Sequence, residues 1–97
     1  MRWPSTVKPG GVTGQHAITM DWVATFLEAA DASAHPDYPL DGLSLLKVLK
    51  DPHATFTRDF FWRMKYRGQR AVRSGDWKYF ASEDGEFLFN LARDARE

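Results

Sequence analysis

Residues 58–80, "RDFFWRMKYRGQRAVRSGDWKYF", hold seven Arg and Lys side chains, two acids and a run of aromatic rings. Cations interleaved with aromatics on a sheet can grip a single-stranded nucleic acid or a sulfated glycan: the cations meet the anion, and the rings offer faces for stacking. The same residues have a plainer reading. Phe60, Trp62, Met64 and Tyr66 alternate with Phe61, Arg63, Lys65 and Arg67. That alternation is the mark of a half-buried antiparallel strand, with an apolar core face and a mainly basic, solvated one. On this pattern the aromatics are packing rather than a platform for nucleic acid.

Other chemistry is sparse. His16, His35 and His53 lie 19 and 18 residues apart, without the close spacing that lets two imidazoles share a metal. No HExxH, EF-hand loop or GxxxxGK[ST] is present. "GGVTG" lacks both the preceding strand and the lysine that a phosphate cradle needs. No serine stands in a G-x-S-x-G elbow. Asp37 and Asp41 flank a proline turn, and Glu83, Asp84 and Glu86 ring a hairpin tip, so turn formation accounts for both groups. No metal, cofactor or catalytic residue is assigned from the residues themselves.

Ninety-seven residues suffice for one domain of marginal size. Net charge is zero, yet residues 58–80 carry +5 against −2 before them and −3 after. With no cysteine, disulfides and thiol chemistry are excluded and the compartment stays open. No apolar run approaches the roughly 20 residues of a membrane span, and "MRWPSTVKPGG" has no signal-peptide core.

The elements follow from periodicity. Pro4, Pro9 and Gly10-Gly11 make residues 1–14 an extended lead-in and loop. Ile18, Trp22, Thr25, Phe26 and Ala29 share one face of a helix over 16–31, widened by Val23, Leu27 and Ala30. Asp21 near its start suits the helix dipole. Residues 32–42 are a proline-broken linker, and 43–50 are a short helix that Ser44 can cap. From Thr57 the period becomes two. The expected strands are 57–67, "QRAVR", "WKYFAS" and "FLFNL", with turns at "SGD" and Asp84-Gly85. "ARDARE" reads as a polar tail or the start of a helix. The class is α+β: two helices (within 1–57) followed by a four-stranded antiparallel meander (58–97).

Five segments, in order, resemble the C-terminal part of a type I sulfatase of the alkaline phosphatase superfamily. "MRWP" is similar to the family's "VPxxxxWPG", and "HAITMDWVATFLEAA" to its "DxxPTLLxLAG" helix. "LDGLSLLKVLKD" resembles "LDGxSLLPLLxG", "QRAVRSGDWKYF" resembles "xRAVRxGxWKLI", and "EFLFNLARDARE" resembles "ELYDLxxDPxE". Together they span nearly the whole chain. Ala24 stands for the family's helix-starting proline, Asp31 for its post-helix glycine and Ala95 for its closing proline. Such changes soften helix boundaries without touching chemistry.

The resemblance implies a sulfuric ester hydrolase whose catalytic residues are not in this chain. The family's C/S-x-P-x-R motif, which yields formylglycine, is absent here, and so are its paired Asp residues and Asp-Asn for calcium. The expected role is support of a sulfatase catalytic domain, with Arg63, Lys65 and Arg67 at the substrate rim. The wide apolar stripe of the first helix would face that domain or, failing it, drive self-association. The alternative is a free-standing module that binds sulfated glycan or nucleic acid on its basic strand face.

Overall fold

The computed structural model describes residues 1–96. It has an α+β fold: helices α1 (Asp21–Ala29) and α2 (Leu46–Lys50), then strands β1 (Asp59–Arg63), β2 (Arg70–Ser74), β3 (Trp77–Ser82) and β4 (Gly85–Asn90). The chain forms two compact units, Met1–Phe56 and the residues from Thr57 onward.

In the first unit, the lead-in is held by side chains that imitate backbone. The Gln15 amide pairs with both backbone groups of Phe56: its Nε2 donates to the Phe56 carbonyl at 3.0 Å, and its Oε1 accepts from the Phe56 N–H at 2.8 Å. Thr13 Oγ1 donates to the Pro52 carbonyl at 3.0 Å. These bonds satisfy backbone groups that an irregular segment would otherwise leave unpaired.

α1 is shorter than the periodicity of 16–31 implies, because Asp21 sets its start. Its Oδ2 accepts the Ile18 N–H at 2.8 Å while the Asp21 N–H donates to the Ile18 carbonyl at 3.0 Å. That reach back by three residues is one half of a capping box, made here by an aspartate. The far end is a Schellman motif: the Asp31 N–H donates to the Glu28 carbonyl at 3.1 Å, and the Ala32 N–H to the Leu27 carbonyl at 2.9 Å. Asp31 takes the left-handed conformation this requires, with φ 52°. α2 is likewise shorter than 43–50. Ser44 Oγ accepts the Leu46 N–H at 3.2 Å, so the serine serves the start of the helix through a local turn.

The second unit is a meander in the order β1-β2-β3-β4, all antiparallel. The β2–β3 hairpin closes over Gly75-Asp76, since Ser74 pairs with Trp77. Gly75 has φ 55°, the positive value at the first turn position that a type II′ turn demands. In the next hairpin Ser82 pairs with Gly85, so the turn residues are Glu83 and Asp84, one earlier than expected. Residues 91–96 are turns or irregular, with no helix. Asn90 fixes the first of them, its Oδ1 accepting from the Ala92 N–H at 3.2 Å.

The first strand corrects the alternation reading. It ends at Arg63, and Tyr66–Gly68 form a 3₁₀ turn. Arg67 and Gly68 have φ 50° and 57°, which reverses the chain toward β2. The Met64 N–H closes this connection on the Gln69 carbonyl at 2.8 Å. Met64 and Tyr66 therefore lie beyond the strand and are exposed. Alternation continued in the sequence past the point where the backbone turned.

Candidate functional site

Three places carry side chains that could meet a partner: the outer face of α1, the β1–β2 connection, and the two faces of the sheet.

On α1 the buried side is polar and the aromatic side is exposed. Asp21 and Thr25 are 0% and 1% exposed, and Ala24 is buried beside them. Asp21 Oδ1 accepts the Leu43 N–H at 2.9 Å. Thr25 Oγ1 donates to the Asp21 carbonyl at 2.6 Å and accepts the Leu45 N–H at 2.9 Å. Three side-chain oxygens thus bind the "LDGLSLL" segment and the helix start together. Gly42 completes the contact: a Cβ there would overlap the Met20 carbonyl and the Asp21 amide. The expectation that Trp22, Thr25 and Phe26 share one packed stripe is corrected. Thr25 turns inward with the core of this unit, whereas Trp22, Val23 and Phe26 are exposed. Trp22 and Phe26 stack with centroids 5.8 Å apart. With Trp3, Ala29 and the first residues they line an open groove of ≈ 640 Å³.

In the β1–β2 connection, Arg63 ends the strand and Lys65 leads into the turn. Arg67 is tied down. Its guanidinium pairs with Asp84, and its Nε lies 3.8 Å from Glu83. The Glu83 N–H donates to the Arg67 carbonyl at 3.3 Å. The two loops at this end of the sheet are joined through one arginine. Its long-range acidic partners gave no signal in the local sequence.

The basic block divides between the two faces of the sheet. Register puts Phe60, Arg73, Lys78 and Phe89 in one row, beside Trp62, Ala71, Phe80 and Phe87 in the next. The opposite face carries Phe61, Val72, Tyr79 and Leu88, with Arg63, Arg70, Ala81 and Glu86 alongside. Arg70 lies 3.6 Å from Glu86, Arg73 Nε donates to the Gly75 carbonyl at 3.1 Å, and the Arg58 guanidinium sits 4.7 Å over the Phe60 ring. The seven cations are therefore not gathered on one strand face. Trp62, expected in the core, is 40% exposed, and Phe61, Phe87 and Leu88 are exposed with it. Both faces of the sheet are apolar in the middle.

Among the described residues, no three His, Asp or Glu side chains converge as metal ligands, and no helix is long and apolar enough to cross a membrane. No protein-family model matches the chain, and a search of curated proteins returns no match.

Proposed function

We propose that this chain is the C-terminal, non-catalytic segment of a sulfatase, a sulfuric ester hydrolase. It supports a catalytic domain that supplies formylglycine and calcium. The end of β1 and its connection to β2 contribute Arg63, Lys65 and Arg67 to the substrate rim, and the exposed Trp22–Phe26 face of α1 packs on the catalytic domain.

One observation carries this reading: three of the five glycine positions in the sulfatase-like motifs fall where the backbone has need of glycine. In "LDG", Gly42 abuts the start of α1 with no room for a Cβ. In "RAVRSGDWKYF", Gly75 makes the positive-φ turn. The pattern's post-helix glycine corresponds to Asp31, which takes φ 52° to close the Schellman motif. Three of the five motif glycines coincide with backbone requirements, while the positions at Ser5 and Asp51 carry no positive φ, so those three support the resemblance by physical constraint as well as by letters.

The test is a chimaera. An arylsulfatase catalytic domain stripped of its own C-terminal segment is fused to this chain. A soluble protein that hydrolyses an aryl sulfate supports the reading. A fusion no better folded than the stripped domain overturns it. The chain alone should turn over no aryl sulfate.

A further inference from the structure

The outer edge of β1 is complementary in charge to its own reverse. Its sequence is Asp59-Phe60-Phe61-Trp62-Arg63, with an acid at one end, a base at the other and Phe61 at the centre. β1 is an outer strand of the sheet and, among the described residues, pairs with β2 alone. The Met64 N–H donates to the Gln69 carbonyl, so Met64 faces β2. By the alternation of an antiparallel ladder, Trp62 and Phe60 face β2 as well, and the N–H and C=O of Asp59, Phe61 and Arg63 point outward. Those three side chains lie on one face of the sheet, all exposed, Phe61 at 69%.

We infer that β1 pairs antiparallel with β1 of a second copy of this chain, about a two-fold axis through Phe61. In that register Phe61 meets Phe61 of the second copy, and the two exchange both backbone hydrogen bonds. Asp59 meets Arg63 of the second copy, and Arg63 meets its Asp59. Phe60 and Trp62 meet across the axis on the other face. The contact is isologous and closed, as a two-fold dimer requires. It joins two four-stranded sheets into one continuous sheet and removes the unprotected β1 edge.

The neighbouring symmetric registers are poorer. Moving the axis to Phe60 sets Asp59 against Phe61 and Arg63 against Thr57. Moving it to Trp62 sets Arg63 against Phe61 and Asp59 against Lys65, whose backbone is helical (φ −69°, ψ −31°) and outside the strand. Only the Phe61 axis matches opposite charges within the strand and like with like at its centre. The dimer engages Arg63, so in that state the rim contribution falls to Lys65 and Arg67.

This inference does not rest on the sulfatase reading, and its experiment involves no catalysis. Sedimentation of the full chain over a concentration series should show a reversible dimer. Asp59→Arg alone, and Arg63→Asp alone, each place like charges opposite each other twice. Each should raise the dissociation constant by about tenfold. Mixing the two variants restores both opposite-charge contacts, and association should return as a heterodimer. Phe61→Pro removes an N–H that faces away from β2, where an edge strand tolerates proline. It should keep its sheet by circular dichroism and remain monomeric. A wild-type chain monomeric throughout, a dimer indifferent to these substitutions, or single variants that do not associate on mixing would overturn the pairing.

Discussion

Asp21 shows how one residue organises the first unit. Read in sequence it is an acid near a helix start, favourable to the dipole. In the structure it is fully buried and accepts from the Ile18 and Leu43 amides. The first bond is local and the second spans 22 residues, which no spacing rule reveals. Asp21→Ala leaves both amides without that acceptor, and a loss of about 3 kcal/mol is expected from urea unfolding. Thr25→Val keeps the shape but removes a donor and an acceptor, with an expected cost of about 2 kcal/mol. Gly42→Ala should also destabilise, because the new Cβ meets backbone rather than a movable side chain. Stability of these three variants equal to wild type would show that the Asp21 contact does not hold the unit together.

At the scale of elements, the order and type of both α-helices and the four strands were legible in the sequence, and β3 keeps its expected bounds, but the ends of the others and the 3₁₀ turn were not. Periodicity reports which side chains alternate, while the ends are set by backbone dihedrals. β1 stops where Arg67 and Gly68 turn left-handed, although Met64 and Tyr66 continue the alternation. α1 starts at Asp21 although Ile18 fits its stripe. Its C-terminal end gives a direct test. Asp31 holds a positive φ that costs a residue with a Cβ about 1 kcal/mol. Asp31→Gly should therefore raise stability by about that amount in denaturant unfolding. At Arg67 the same conformation is combined with exposed ion pairs, each worth less than about 1 kcal/mol. Arg67→Gly should be more stable than Arg67→Ala, because both lose the ion pairs and only glycine relieves the backbone. The reverse order would mean that side-chain contacts govern the connection.

On the scale of the whole molecule, the apolar surface is the leading feature. The aromatic half of α1 and several apolar side chains of the sheet, Phe61, Trp62, Phe87 and Leu88 among them, are exposed, and the cations that looked like one binding patch are divided between sheet faces and a loop. Exposure on α1 was expected from its wide apolar stripe, but exposure of Trp62 in the sheet was not legible, because the pattern that marks a core face does not say whether the covering element belongs to the same chain. Phe26, 59% exposed, separates the two possibilities. Phe26→Lys should change the unfolding free energy by no more than about 0.5 kcal/mol. In the chimaera it should disrupt docking on the catalytic domain and lower the soluble yield. A large loss of stability in the isolated chain would instead make Phe26 part of its own core.

The most direct measurement is aryl-sulfate turnover by the chimaera, with the isolated chain and the stripped catalytic domain as controls. The account predicts turnover by the fusion and none by the chain alone. Turnover by the isolated chain, or a fusion as inactive and insoluble as the stripped domain, would contradict it.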